Sequence, residues 1–367
     1  MTAAAPTPEA RASHRFFAFL ATLRGVAVLL VVYDHLGAIW PESNGMSWPP
    51  TRFIRTWINE PLAIIQDFGF FGVVLFFLIS GFIITHVAQR ETRYQFAVKR
   101  ILRIYPPLIA SIIVIIVITA IRGGVLLSWK QYLLSFTLLN YFWTPQYVVN
   151  GVAWTLVIEM LFYAGAFAVL PFLKRRAVLG SAILIAAVAL IIWQARSFGA
   201  NFFLFSASVA YLPFLLQGQI IYLRWTRKIS TVQYAALAVA TYAVTVYGIR
   251  TIHTAYLPAD NSYMVSFAYA FFIFVLGLLF EGMIRIPRFI SFTSNISYSL
   301  YLFHGVVGFL VLDLLTPKVN LTIAIAVAFA VALGSAYASY RWIERPSQTA
   351  ARWIIQHTPS RKADVSA

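Results

Sequence analysis

Long apolar stretches recur along this chain of 367 residues, and they constrain its fold more than any other feature. A helix needs about 20 consecutive apolar residues to cross a bilayer. Ten stretches reach or approach that length, at residues 16–40, 62–87, 106–121, 151–173, 178–195, 202–222, 232–250, 263–281, 290–314 and 320–341. Because backbone polar groups in lipid must bond within their own segment, these stretches predict helices. The sequence therefore predicts an all-α polytopic membrane protein with about ten transmembrane helices.

Composition agrees with this fold class, because 60% of the residues are hydrophobic and only 11% are charged. The formal net charge is +16, but the basic residues stand in short segments between apolar stretches, so no nucleic-acid partner is expected. The chain has no cysteine, which excludes thiolate nucleophiles and cysteine-based metal sites. No metal site of any kind is predicted.

The distribution of Lys and Arg predicts how the helices are oriented. With a cytoplasmic N-terminus, twenty basic residues fall on the cytoplasmic side and seven on the far side, and Arg24 lies within the first span. This excess follows the positive-inside rule and places both termini in the cytoplasm. The apolar segment 131–142 is too short to cross, so we expect it to be re-entrant or interfacial.

The spans also set the expected domain organisation. Residues 1–15 are expected to form a cytoplasmic segment, residues 16–345 one transmembrane domain, and residues 346–367 a short cytoplasmic tail. Pro106 and Pro107 are expected to end a cytoplasmic helix and to start the third span.

Two ionisable residues stand within the first span, where such groups are candidates for function. Arg24 and His35 are eleven residues apart. That spacing returns to within about 20° of the same helix face, with about 16 Å between them in depth. A neutral imidazole in apolar surroundings can take a proton from a hydroxyl, so His35 is a candidate general base. Asp34 is about 100° away around the helix and is not expected to orient His35 directly.

Two carboxylates are candidate partners for this pair, because a buried carboxylate needs a partner. Glu159 lies within the fourth span and should reach a cation, a hydroxyl or the imidazole. Asp67, at the outer end of the second span, either pairs with Arg24 or His35 or lies at the interface.

Other polar and aromatic side chains within the spans are candidates for lining an internal chamber. A polar stripe in a membrane helix should face protein or water rather than lipid. For the segment around Ser80 the alternative to lining the chamber is close helix contact, which its glycines allow. For Trp154 the alternative is a position at the membrane interface. The candidate lining residues are Ser80, Trp154, Thr155, Ser297, Tyr301 and His304.

The segment KRILRIYPP at residues 99–107 gathers three cations on one helical face. Lys99, Arg100 and Arg103 are candidates for binding phosphate, since guanidinium groups bind phosphate through two parallel hydrogen bonds. A positive-inside flank is the alternative interpretation. Near the C-terminus, a local salt bridge of Glu344 with the neighbouring arginines is expected.

Together these segments resemble the acyltransferase-3 family of bacterial membrane O-acyltransferases, which modify cell-surface sugars and some secreted small molecules. The resemblance extends from about residue 16 to residue 347 and depends on the order of six motifs, each weak alone. The residues that carry it are Arg24 and His35, then Phe76, Phe77, Ser80, Gly81 and Phe82, then Arg100 and Arg103, then Trp154, Thr155, Leu156 and Glu159, then ISYSLYL-x-H ending at His304, and finally Glu344 and Pro346.

The resemblance implies a ten-helix enzyme of the bacterial inner membrane that uses acyl-CoA, usually acetyl-CoA, as a co-substrate without a permanently bound cofactor. The donor would dock near Arg100 and Arg103, with His35 as the catalytic residue and Arg24 as its partner. The acceptor would be a hydroxyl of a glycan, glycolipid or small molecule on the far side. Many members have an acidic residue where Val74 stands here, and some carry a C-terminal hydrolase-like domain that is not expected in this chain.

Several alternatives stay open at this level. His35 could act as a general base or carry the acyl group itself. A secondary transporter, or a non-catalytic membrane partner of a surface-polymer assembly, would also contain apolar spans with buried charges. The sequence determines neither the acceptor nor the oligomeric state.

Overall fold

The computed structural model describes residues 8–142, 147–197, 207–256 and 262–358, and all regular secondary structure in these ranges is helical. Residues 1–7 of the expected N-terminal segment and 202–206 of the sixth predicted span lie outside them. The α-helices are α1 (Pro8–Tyr33), α2 (Trp40–Ser43), α3 (Pro49–Ile54), α4 (Gly69–Ala88), α5 (Arg93–Ile121), α6 (Trp129–Phe136), α7 (Trp154–Ala168), α8 (Leu170–Arg175), α9 (Ala177–Gln194), α10 (Leu212–Trp225), α11 (Thr231–Tyr256), α12 (Ser262–Leu279), α13 (Arg288–Asn295), α14 (Ser297–Leu315), α15 (Leu321–Ser339) and α16 (Arg345–His357).

The prediction of an all-α polytopic membrane protein is confirmed. Among the described residues, eight helical segments are long and apolar enough to cross a membrane. The fourth and sixth predicted spans correspond to the shorter helices α7 and α10. Segment 131–142 forms most of α6 and a 3₁₀ turn at Leu139–Phe142, and neither is long enough to cross.

The expectation that Pro106 and Pro107 separate two helices is wrong. Both prolines lie inside α5, which continues from Arg93 to Ile121. Proline removes a backbone donor and leaves carbonyls of the preceding turn without their usual partner. The carbonyls that lose their partner are those of Leu102 and Arg103. The neighbouring carbonyl of Ile104 accepts a hydrogen bond from the Tyr298 hydroxyl at 2.7 Å, which joins α14 to this turn.

Helix α4 is the centre of the bundle. In its apolar window 78% of the residues are buried, whereas the corresponding figure for α5 is 28%. A Cβ atom on Gly81 would overlap the carbonyl oxygen of Leu215, and one on Gly218 would overlap that of Leu78. The two glycines therefore let α4 and α10 approach with their backbones nearly in contact.

Three π-helical turns interrupt the regular helices in the part of the chain that the structure describes, at Asp34–Ile39, Arg55–Asn59 and Tyr340–Glu344. A π turn inserts an extra residue into the turn and rotates the side chains that follow onto a different face. One of these turns contains His35 and another ends at Glu344, so both reorient polar groups within the bundle.

Residues that were assigned to the same side of the membrane meet in the structure. At the end assigned to the cytoplasm, Lys99 forms an ion pair with Glu91 at 2.5 Å. At the opposite end, Arg122 pairs with Asp313 at 2.6 Å, and the indole nitrogen of Trp40 donates to the same carboxylate at 3.0 Å. The alternating assignment of the spans is therefore geometrically consistent.

Candidate active site

His35 lies one residue into the π turn that follows α1. Its Nδ1 lies 2.9 Å from the carbonyl oxygen of Val31. A carbonyl can only accept, so Nδ1 must carry the proton, and Nε2 is left as the basic nitrogen of a neutral ring. The carboxylate of Asp34 is 3.9 Å from Nδ1, which makes it a secondary neighbour rather than the group that fixes the tautomer.

The half-buried His35 lines a cavity of about 450 Å³ toward the end assigned to the far side, which we call the outer cavity. Apolar side chains from the π turn, α5 and α14 form most of its wall, and the ion pair of Arg122 with Asp313 also lines it. Phe309 stacks against the imidazole, with the ring centroids 6.5 Å apart. The polar groups of this cavity suit a ligand that carries hydroxyl groups.

A second cavity of about 70 Å³, the central cavity, lies between α1, α4, α5, α7 and α14. It brings together seven of the residues that sequence analysis selected for catalysis, donor binding or chamber lining. They are Arg24, Ser80, Arg103, Thr155, Glu159, Ser297 and Tyr301. Polar residues from five separate helices therefore converge on one cavity, whose remaining wall is apolar.

Glu159 is the carboxylate of the central cavity. Its Oε1 accepts hydrogen bonds from the Ser80 hydroxyl at 3.3 Å and from the Tyr163 hydroxyl. The charges of Arg24 and Arg103 both interact with it. Of the three partners expected for Glu159, the structure therefore supplies hydroxyls and cations rather than the imidazole.

The central and outer cavities share no lining residue. Four side chains stand between them, and we call this group the septum: Phe76, Thr155, Tyr301 and His304. The Thr155 hydroxyl donates to the Tyr301 oxygen at 2.9 Å, and Phe76 packs on the Tyr301 ring. His304 is fully buried and meets His35 edge to face, with ring centroids 4.8 Å apart. The septum thus separates Arg24 and Glu159 from the basic nitrogen of His35.

Two further cavities extend from the central cavity toward the end assigned to the cytoplasm. The connecting cavity, of about 290 Å³, shares Arg24 and Arg103 with the central cavity. The basic cavity, of about 270 Å³, shares Arg103 and Gln348 with the connecting cavity. Arg103 lines all three, so a chain of polar spaces leads from this end of the bundle to the septum.

Glu344 does not form the expected local salt bridge. The π turn at Tyr340–Glu344 directs its side chain inward, where it is buried. Its Oε2 accepts from Ser299 at 2.8 Å and its Oε1 from Gln348 at 3.2 Å, while Arg341 is exposed. Glu344 therefore places a second carboxylate beside the arginines of the connecting cavity.

The three cations of the KRILRIYPP segment occupy different environments. Lys99 and Arg100 both approach Glu91, at 2.5 Å and 3.9 Å. The Arg100 guanidinium also stands over the rings of Phe96 and Tyr163. Arg100, together with Lys99 and Arg103, lines the basic cavity, as their helical spacing predicts.

Two predicted site residues lie away from the cavities described above. Asp67 accepts hydrogen bonds from Arg55 and Asn59 in the loop before α4, rather than contacting His35 or Arg24. Hydrogen bonding to Asp67 raises the pKa of Arg55. Trp154 packs its indole on Tyr211, with centroids 5.5 Å apart, and is not among the residues that line the central cavity.

Comparisons with known proteins identify the family of the chain. A family model described as an acyltransferase domain, that of the acyltransferase-3 family, matches residues 17–341. Nodulation protein 10 of Rhizobium leguminosarum bv. viciae is 29% identical over 289 residues, which cover 69% of this chain and 74% of that protein. No solved structure matches significantly.

Proposed function

The chain belongs to the acyltransferase-3 family of membrane acyltransferases, and we propose that it moves an acetyl group from cytoplasmic acetyl-CoA to a hydroxyl on the far side of the bacterial inner membrane. The observation that carries this proposal is the pair of cavities that meet at the septum. One side presents Arg24 and Arg103, and the other presents the basic nitrogen of His35. Such a pair gives a donor and an acceptor separate entrances to one reaction point.

The donor enters through the cations of the basic cavity, and its thioester arm extends past Arg103 toward Arg24. Guanidinium groups bind the phosphates of the donor at the cytoplasmic end. Arg24 stabilises the negative charge that develops on the thioester carbonyl oxygen. The septum side chains must rotate aside so that the acyl carbon can approach His35.

His35 is proposed as the general base for direct transfer. Its Nε2 takes the proton of an acceptor hydroxyl in the outer cavity while the hydroxyl oxygen attacks the thioester carbonyl. The carbon–sulfur bond breaks, the thiolate of CoA leaves, and the proton passes from the imidazolium to that sulfur. In the alternative route Nε2 attacks the carbonyl itself, the carbon–sulfur bond breaks and the thiolate of CoA leaves. The acceptor hydroxyl then attacks the acyl carbon carried on His35, its proton passes to the thiolate, and the carbon–nitrogen bond breaks to restore the neutral ring. The acceptor is a glycan, a glycolipid or a small hydroxyl compound.

Transfer of labelled acetyl from acetyl-CoA by the purified protein in lipid nanodiscs tests the proposal. General base catalysis is typically worth about 10²–10⁴-fold, so His35→Ala should reduce the transfer rate by about that factor. His357→Ala is the matched control, because His357 is exposed, packs on the Trp353 ring and bonds to the Trp353 carbonyl of its own helix.

Undiminished transfer in His35→Ala would refute the catalytic assignment. If wild type binds acetyl-CoA but transfers no label to any hydroxyl acceptor, a transporter or a non-catalytic partner becomes the better account. Rapid quenching with denaturant near neutral pH during turnover separates the two routes, since only the relay leaves label on His35.

A further inference from the structure

The basic cavity is built from two parts of the chain that are far apart in sequence. Helix α5 and the segment before it contribute Glu91, Lys99, Arg100 and Arg103, and α16 contributes Gln348, Ala351 and Arg352. Helix α16 packs along α5, and Ala351 is buried at their contact. The Tyr94 and Thr358 hydroxyls, 2.9 Å apart, join α5 to the residue that follows α16. A segment expected only as a cytoplasmic tail therefore forms one wall of this cavity.

The charge of the basic cavity is strongly unbalanced. Four cationic side chains line it, from Lys99, Arg100, Arg103 and Arg352, against the single carboxylate of Glu91. Lys99 takes the closest contact with that carboxylate, at 2.5 Å, and Arg100 stands off at 3.9 Å. Arg103 also faces the carboxylates of Glu159 and Glu344. Arg352, together with Arg100 beside its more distant carboxylate, is thus left without a matching anion, which is the arrangement of a site for an anion.

One buried donor of the basic cavity also lacks a hydrogen-bond partner within the described residues. Arg100 is only 8% exposed, and no acceptor lies within hydrogen-bond distance of its Nε. A buried donor without a partner costs free energy, so such atoms mark a place where a ligand completes the bonding. Guanidinium donors match the paired oxygens of a phosphate.

Arg352 is the least constrained of these cations. Its guanidinium donates to the hydroxyl of Thr349 on its own helix, at 3.1 Å, and it forms no ion pair within the described residues. The neighbouring Gln348 donates to Glu344, so this helix also reaches the connecting cavity that leads to Arg24. Arg352 can therefore close over a ligand whose other end extends inward.

We propose that Arg352 of α16, together with Arg100, binds the nucleotide phosphates of the acyl donor and so sets its specificity for a phosphorylated carrier. The proposal rests on the proposed function for the identity of the donor. The phosphates lie in the basic cavity because it is the outermost of the three connected spaces, and the phosphate-free thioester arm extends through the other two. Arg352 is a binding residue and takes no part in the acyl transfer step.

Binding affinities of two donors, measured on the full-length protein in nanodiscs, test this inference. Acetyl-CoA carries the nucleotide phosphates, whereas S-acetylpantetheine has the same thioester arm without any phosphate. A hydrogen bond to a charged group is worth about 1.5–3 kcal/mol, so Arg352→Ala should weaken acetyl-CoA binding by about 10- to 150-fold. It should leave the affinity for S-acetylpantetheine within about twofold of wild type, and Arg352→Lys should give an intermediate loss because it keeps charge without the paired geometry.

Arg345→Ala is the matched control, since Arg345 is on the same helix, is exposed and does not line the basic cavity. Equal acetyl-CoA affinity in Arg352→Ala and Arg345→Ala would overturn the inference. Equal weakening of both donors by Arg352→Ala would also overturn it, because that pattern reports a structural defect. Inorganic pyrophosphate separates the two proposals: if wild type binds it in an Arg352-dependent way but does not bind acetyl-CoA, the phosphate site stands and the proposed donor falls.

Discussion

Replacing Glu159 by Gln tests whether the charges of the central cavity form one balanced group. Glu159 accepts hydrogen bonds from Ser80 and Tyr163 and interacts with the charges of Arg24 and Arg103. Gln has nearly the same shape and keeps a carbonyl oxygen for the two hydroxyls, but it carries no negative charge. The substitution therefore isolates the electrostatic contribution from the packing contribution.

The magnitude follows from the two interactions that change. Leaving a buried charge without its partner costs about 3–5 kcal/mol, and a hydrogen bond to a neutral acceptor is about 1 kcal/mol weaker than one to a carboxylate. Because Glu159 is half-buried and Glu344 supplies a second carboxylate nearby, the lower end applies. We expect Glu159→Gln to lower the free energy of unfolding by about 4 kcal/mol, which is the lower charge contribution together with about 1 kcal/mol for the weakened hydrogen bonding.

Denaturant unfolding in detergent micelles measures this loss, and acetyl transfer measured in parallel should fall at least about tenfold, since each 1.36 kcal/mol of transition-state stabilisation is tenfold in rate. Glu60→Gln removes an exposed carboxylate of the outer loop and serves as the control. If Glu159→Gln unfolds within about 0.5 kcal/mol of Glu60→Gln and keeps full turnover, the arginines do not depend on Glu159 and the balanced-group reasoning fails.

Two further substitutions test the scaffold around the site. Gly81→Ala should lower the free energy of unfolding by about 1–3 kcal/mol or more, because its Cβ would overlap the backbone of Leu215. This is the cost expected when extra atoms are forced into a packed contact. Gly334→Ala, whose Cβ meets no atom within 4 Å, should be neutral or slightly stabilising in the same thermal unfolding assay, and equal melting of the two variants would contradict the close α4–α10 contact. Asp67→Asn should destabilise the loop before α4 by about 1–3 kcal/mol, because Arg55 loses its charge-assisted bonds to Asp67 and keeps the ion pair with Glu42. Faster amide exchange confined to residues 55–68 would report this loss, and unchanged exchange there would contradict it.

Helical periodicity predicted part of the candidate site. Arg24 lies in the regular helix α1 and His35 in the π turn after it, and each lines an internal cavity, but the two cavities share no lining residue, whereas the spacing of the two residues predicted one helix face. The count of basic residues likewise assigned Lys99 and Arg122 to opposite ends of the bundle, as the structure has them. These predictions depend only on local helix geometry and on lipid as the solvent.

What sequence did not predict depends on contacts between distant segments. A π turn directs Glu344 inward, and its carboxylate accepts a hydrogen bond there from Ser299 of another helix. Tyr163 could have been found, because it is four residues after Glu159 and so shares its helical face. No local pattern, by contrast, indicated that Arg122 and Asp313 would pair across the outer cavity.

The septum of Phe76, Thr155, Tyr301 and His304 has a consequence for the membrane potential. An enzyme open to water at both ends would conduct ions, and each elementary charge that leaks down a potential of 100 mV dissipates about 2.3 kcal/mol. The aromatic rings of the septum insulate the two cavities from each other while no donor is present. If the thioester arm displaces them only by filling the same space, acyl groups can cross the membrane while its voltage is preserved.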